Sequence, residues 1–275
     1  GNIWIGCFQK GLFMIPKEKS LFTNYSFNPF APEETIGNGA VQPILEDSQS
    51  DIWLGLDAGG VYRLDKYKKV RKHYKIGSED PIPGNIVLSL YEDKEQNIWL
   101  GTYLNGAIRY NRKKDLFDLS LKVGKPPYGL LSTHVADFKE DEKGDLWIIT
   151  NGGGINIYNK ESKTFRYITH NDLETGSNQL IDNWCNLMYI GQDSLYWIAT
   201  YRGLCTFDKR QNKYVYYTVQ NGKLPNNIVL TLKQDKKGNM WVGTQDGLAC
   251  IDSSHKKIRI FNIKEGLPNS IINGI

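Results

Sequence analysis

Asn97-Ile98-Trp99-Leu100-Gly101-Thr102 is a phrase that this 275-residue chain writes again and again. The other copies are Gly1-Asn2-Ile3-Trp4-Ile5-Gly6, Asp51-Ile52-Trp53-Leu54-Gly55, Asp145-Leu146-Trp147-Ile148-Ile149-Thr150, Tyr196-Trp197-Ile198-Ala199-Thr200 and Asn239-Met240-Trp241-Val242-Gly243-Thr244. They hold six of the seven tryptophans, at spacings of 49, 46, 48, 50 and 44 residues. A fixed period of this size means one supersecondary unit stacked several times, so the fold is read from the repeat.

Around each tryptophan the template extends both ways. Asp47, Asp93, Asp141 and Asp235 stand six residues before it, and Gly191 is the exception. Such an aspartate caps its own turn, and Gly144 and Gly238 three residues later supply positive φ. Apolar runs precede the turn, such as Val135 to Phe138 and Ile228 to Leu232. After the tryptophan strand comes a short loop closed by Gly11, Gly60, Gly106, Gly154, Gly203 or Gly247, then a third strand, a lysine-rich turn and a β-branched, aromatic fourth strand. No window carries the 3, 4, 7 apolar spacing of a helical solenoid. The pattern therefore predicts an all-β chain, a β-propeller of four-stranded antiparallel blades in six repeats. Residues 1–275 read as a single propeller domain or a fragment of one, centred on Trp4, Trp53, Trp99, Trp147, Trp197 and Trp241. A blade is covered by neighbours on both faces, so its inner strands are expected to be apolar on both sides, with the indole between blades.

The first residues match the turn before strand B, and Leu267 to Ile272 match the entry to strand A. The expectation is that Ser270 to Ile275 pairs in the sheet of Trp4, closing a six-blade ring; part of a seven-blade propeller, excised from a longer array, is the alternative.

Composition narrows the function. The net charge is +4, and the lysines gather in the C-to-D turns (Lys66, Lys68, Lys69; Lys113, Lys114), which reads as solvated hairpin tips and not as a nucleic-acid stripe. Cys7, Cys185, Cys205 and Cys250 lack paired spacing and are expected to be unbridged thiols. The four histidines, His73, His134, His170 and His255, make no metal-ligand pair, and no cofactor motif or catalytic motif is present. Gly152-Gly153-Gly154 opens no helix and reads as a turn.

Strand alternation puts the B-to-C and D-to-A loops on one face, and that face carries the variation. Its candidate ligand-binding residues are Asp57, Tyr103, Asn105, His134, Asn151, Asn183, Trp184, Tyr201, Arg202, Gln245 and Asp246. Stacking aromatics beside multi-donor polar groups suit an oligosaccharide or another small polar ligand.

The phrase (N/D)-(I/L)-W-(I/L)-G-T, a glycine-closed loop, and Gly266-Leu267-Pro268-Asn269-Ser270-Ile271 or Leu224-Pro225-Asn226-Asn227-Ile228 before the next copy resemble the two-component regulator propeller repeat. Leu130-Leu131-Ser132-Thr133 and Leu180-Ile181-Asp182-Asn183 depart from it by lacking the proline. The resemblance implies the periplasmic sensor part of a membrane-spanning hybrid two-component system of gut Bacteroidetes, which detects glycan fragments and signals to a cytoplasmic histidine kinase. It also implies further sensor domains of the parent chain as partners, with a homodimer as another option. This fragment would then be no enzyme itself, would bind no nucleic acid and would not touch the membrane. Two rivals stay open: a propeller lyase or hydrolase working at the axial mouth, and a protein-interaction platform.

Overall fold

The computed structural model describes residues 3–7, 11–15, 23–24, 35–37, 39–67, 69–78, 81–84, 86–171, 178–267, 269 and 271–272, with side chains from residue 35 onward. Repeat 1 gives β1 (Ile3–Cys7), β2 (Gly11–Ile15) and β3 (Thr23–Asn24). Repeat 2 gives β4 (Val41–Glu46), β5 (Ile52–Leu56), β6 (Gly60–Leu64) and β7 (Val70–Tyr74), and repeat 3 gives β8 (Val87–Glu92), β9 (Ile98–Thr102), β10 (Ala107–Asn111) and β11 (Leu116–Leu121). Repeat 4 supplies β12 (Val135–Glu140), β13 (Leu146–Thr150), β14 (Ile155–Asn159) and β15 (Thr164–Ile168). Repeats 5 and 6 supply β16 (Cys185–Ile190), β17 (Tyr196–Thr200), β18 (Leu204–Asp208), β19 (Lys213–Tyr217), β20 (Val229–Gln234), β21 (Met240–Thr244), β22 (Gly247–Ile251) and β23 (Ile258–Phe261). Each of repeats 2 to 6 is a four-stranded meander in chain order, and the described part of repeat 1 is three-stranded. The expected all-β propeller fold is what the chain adopts; its one described helical element is a single 3-10 turn, Ile263–Glu265.

The chain divides into two compact units, Gly1–Val123 with Thr133–Glu140, and Gly124–Ser132 with Asp141–Ile275. In the first unit one apolar cluster joins Trp53, Val61 and Tyr74 of repeat 2 to Val87, Ile98, Leu100 and Tyr110 of repeat 3. In the second, Trp147, Ile149 and Ile157 of repeat 4 pack on Cys185, Tyr196 and Cys205 of repeat 5. Trp197, Ala199 and Tyr217 of repeat 5 pack likewise on Val229, Met240 and Val242 of repeat 6. The core of each unit is thus laid down between sheets. This is why β5, β9, β13 and β17 are buried at every residue instead of at alternate ones. Trp53, Trp99, Trp147 and Trp197 are at most 2% exposed; Trp241 is half-buried, and the side chain of Trp4 lies outside the described residues.

The glycine two places after tryptophan is a packing requirement. A Cβ on Gly55 would collide with Pro43 and Val87, and one on Gly243 with Thr231 and the Ile272 carbonyl. The A-to-B turn explains its aspartate more fully than the sequence does. Asp47 Oδ1 accepts from the Gln49 and Asp51 N–H groups, the expected self-capping. Its Oδ2 accepts from the buried Trp53 Nε1 at 2.8 Å. Asp93, Asp141 and Asp235 do the same for Trp99, Trp147 and Trp241, at 2.8, 3.2 and 3.1 Å. Left-handed φ at the third turn position is general: Ser50 (64°), Gln96 (64°) and Ser194 (63°) adopt it beside Gly144 and Gly238 (82° each).

Cys185, Cys205 and Cys250 are buried free thiols, and burial pushes the Cys205 thiol up to about 12. Cys7 has its side chain outside the described residues. Of the predicted closing strand, Ser270 and residues 273–275 lie outside them too; within the second unit the Ile272 N–H donates to the Thr244 carbonyl at 3.0 Å. No described helix is long and apolar enough to cross a membrane.

Candidate functional site

The loops of the variable face are built to one plan. At the end of strand B a threonine hydroxyl donates to the carbonyl of the loop-closing glycine: Thr102 to Gly106, Thr150 to Gly154, Thr200 to Gly203 and Thr244 to Gly247, all at 2.7–2.8 Å. Gly154 (φ 62°) must be glycine because a Cβ there would strike the Ile168 carbonyl at the end of strand D. Strand A carries a register shift at the same end in repeats 2, 3, 5 and 6, as between Cys185 and Leu187. A bulge of this kind re-aims the residues that lead into the strand. The residue after strand B is tied to that entry by its N–H: Tyr103 to the Ile86 carbonyl, Tyr201 to Trp184 and Gln245 to Ile228.

In the second unit this scheme brings two large aromatics together. Trp184 and Tyr201 are 52% and 41% exposed, unusual for rings of their size. They meet edge to face, with centroids 5.8 Å apart and planes at 76°. Asn151 forms an isolated antiparallel bridge with Trp184, and a Cβ on Gly152 would sit 3.9 Å from the indole, so the ring lies over the Gly152 backbone. Arg202 follows Tyr201 and is exposed, its N–H held by the Thr200 hydroxyl at 3.1 Å. Gln245 and Asp246 are exposed on the corresponding loop of repeat 6. Asn183 is committed elsewhere. Its Oδ1 accepts from the His170 N–H, its Nδ2 donates to the His170 carbonyl, and its own carbonyl receives the N–H groups of Gly152 and Gly154. It shapes the loop under Asn151.

In the first unit Tyr103, 44% exposed, meets His134 edge to face at 4.9 Å. Burial holds the His134 imidazole below its ordinary pKa, so the ring is neutral at pH 7. Asn105 is half-buried, its N–H bonded to the Thr102 hydroxyl. Leu104 between them is 62% exposed and was not singled out from the sequence, since an isolated leucine carries no ligand signal. Asp57 lines a separate cavity of about 260 Å³ with Gly37, Tyr62, His73 and Lys75. There the Tyr62 and His73 rings stack at 3.8 Å and the Gly37 N–H donates to the Tyr62 hydroxyl. This stacked pair, too, was invisible before the fold, because its members face each other across β6 and β7.

The sequence pattern described as two component regulator propeller matches residues 81–104 and 223–246, in repeats 3 and 6. No curated protein matches the chain. Among solved structures, the extracellular domain of a putative one component system of B. thetaiotaomicron is similar at 22% identity and a TM-score of 0.68, over 94% of this chain and 35% of that one. The extracellular domain of a putative hybrid two component system of the same organism matches at 21% and 0.56, over 98% and 46%. Virginiamycin B lyase from Staphylococcus aureus shares the fold at 16% and 0.59, over 84% and 71%. The chain thus spans about a third to a half of the two extracellular-domain chains it matches. The two component regulator propeller pattern thus falls twice in the chain, at the same phase of repeats 3 and 6.

Proposed function

We propose that this chain is a ligand-sensing propeller module from the extracytoplasmic part of a hybrid two-component sensor. It takes up glycan fragments at the variable face and relays their presence to a cytoplasmic histidine kinase elsewhere in the parent chain. The matched repeat and the two sensor-type extracellular domains support the setting. The observation that carries the binding reading is the exposed Trp184–Tyr201 corner with Asn151 beside it and Arg202 next in the chain. Perpendicular rings offer one face for the apolar side of a sugar and an edge and hydroxyl for its rim. The exposed Arg202 guanidinium supplies paired donors, and buried Asn151 holds the backbone beneath the indole. The role is binding and not turnover.

Calorimetric titration of the whole chain against a panel of neutral and acidic oligosaccharides tests this. A hit should weaken by ~1–3 kcal/mol on Trp184→Ala or Tyr201→Ala, with the ligand recovered intact. Binding undiminished in the double variant would remove the site from this face, and cleaved ligand would favour the lyase or hydrolase reading.

A further inference from the structure

The contacts between the A-to-B turn of one repeat and the C-to-D turn of the next differ from joint to joint. From repeat 3 the Arg112 guanidinium reaches Asp47 Oδ2 of repeat 2 at 2.7 Å, the oxygen that also holds the Trp53 indole. From repeat 5 the Lys209 ammonium reaches Asp141 Oδ2 of repeat 4 at 2.9 Å, beside Trp147. Arg112 and Lys209 occupy one template position, just after the Asn or Asp that ends strand C. A carboxylate thus clamps its own tryptophan and the next repeat's cation together.

Between repeats 5 and 6 both halves of that clamp are absent. Gly191 replaces the aspartate, and Ser253 stands where the cation belongs. Trp197 is 1% exposed, and its Nε1 is buried without a hydrogen-bond partner among the described residues. A second tie is weaker here than between repeats 2 and 3. Ser48 of repeat 2 bonds the Glu92 carboxylate of repeat 3 through its N–H and hydroxyl, both at 2.7 Å. Between repeats 5 and 6 the Gln192 N–H finds only the neutral Gln234 amide, at 2.9 Å. His255 Nε2 stands 3.1 Å from Asp193 Oδ2, and at the strand A side the Asn186 amide donates to the Val229 carbonyl at 2.7 Å. A cavity of about 250 Å³, lined by Leu195, Thr206, Tyr217, Lys223 and His255 among others, lies along this seam.

We infer that the seam between repeats 5 and 6 is a built-in yielding joint, at which repeat 6 separates from repeat 5 before any other described part of the second unit opens. The buried, unpartnered indole N–H is a standing cost that opening relieves. The carboxylate and the arginine or lysine that would oppose opening are both missing from this joint. Local opening of this kind supplies a two-state element on which a bound partner or ligand can act.

Hydrogen exchange on the intact chain, resolved by peptide, tests the inference at constant pH. Amides of β20–β23 should exchange ahead of those in β13–β19. The double variant Gly191→Asp/Ser253→Lys should rebuild the clamp and slow β20–β23 by about tenfold, the scale of one satisfied buried donor. A Cβ at Gly191 would displace the Asp193 carboxylate, so a second variant works in the opposite sense: Asp141→Gly, which strips the clamp between repeats 4 and 5, should make β16–β19 exchange as early as β20–β23. Uniform exchange across the unit, or β20–β23 exchanging last, overturns the yielding joint. So does an Asp141→Gly chain that folds with its exchange pattern unchanged.

Discussion

Trp53 and Trp197 occupy the same place in their repeats, are buried to the same degree and stack on the last residue of strand D alike, Trp53 on Tyr74 and Trp197 on Tyr217. Everything polar around them differs. The Trp53 N–H is held by Asp47, and its face carries the Arg63 guanidinium at 5.2 Å. Arg63 in turn pairs with Asp51 at 2.6 Å and donates to the Tyr110 hydroxyl at 2.9 Å. The Trp197 N–H has no hydrogen-bond partner among the described residues, and no guanidinium lies over its ring among them; the His255 imidazole meets it at near right angles instead, centroids 5.1 Å apart. The apolar part of the repeat is therefore what the fold requires everywhere. The polar clamp is a separate layer, added at some joints and withheld at another. A repeat array tolerates this because each unit answers chiefly to its neighbours.

The largest effect should come from removing an indole outright. Trp53→Ala is expected to cost ~3–5 kcal/mol in denaturant unfolding, the range for a large aromatic cut from a core. Trp197→Ala should cost less, since it strands no carboxylate and no guanidinium. Equal losses at the two sites would mean that the clamp adds nothing and that packing alone sets stability.

Next in size is the carboxylate. Asp47→Ala leaves the Trp53 N–H without its acceptor and the Arg112 guanidinium with only Glu92 and the Gln96 carbonyl, and should cost ~2–4 kcal/mol. The pH dependence has a definite sign. Burial by itself would raise the Asp47 carboxyl, but Arg112 and the Trp53 N–H outweigh it and hold the group below the usual carboxylate range. Asp141 is lowered in the same way by Lys209 and Trp147. A lowered native pKa stabilises the fold above the unfolded value, ~4, and that stability is lost as pH falls through the native value. Unfolding free energy followed from pH 6 to pH 2 should decline, and Asp47→Asn should flatten the decline. A variant as steep as the parent would assign the acid sensitivity to other carboxylates.

How much of this was legible beforehand follows from the range of each interaction. The strands, their both-face burial and the role of the Trp-x-Gly glycine were readable, because period and composition are local properties. The self-capping of Asp47 was readable too, since its partners lie two and four residues on. Its grip on the indole was not, although Gly191 was visible as the exception, because the acceptor acts across the hairpin. His255 and Asp193 are brought together by packing of successive repeats, and nothing in either neighbourhood announces it. At the loop face, aligning the repeats placed Trp184 at a D-to-A entry and Tyr201 in a B-to-C loop of the same face, and the structure brings the rings into contact. The same alignment nominated Asn183, whose amide is spent on the backbone at His170. Sequence equivalence locates a loop position; it does not say whether the side chain faces solvent or serves the loop.

The smallest effect is the sharpest test of the comparison. Phenylalanine keeps most of the apolar contact of tryptophan and deletes the N–H. At Trp53 that deletion also removes the donor that satisfies a buried Asp47 oxygen, so Trp53→Phe should lose ~1–3 kcal/mol. At Trp197 the deleted donor has no partner, so relief of its desolvation offsets the lost ring area. Trp197→Phe should stay within ~0.5 kcal/mol of the parent, as surface substitutions do, although the residue is among the most buried in the chain. The converse change, Gly191→Asp alone, should make Trp197 behave like Trp53, and a subsequent Trp197→Phe should then become costly. If Trp197→Phe is as damaging as Trp53→Phe in the parent chain, the indole N–H has found an acceptor and the two joints are alike in solution.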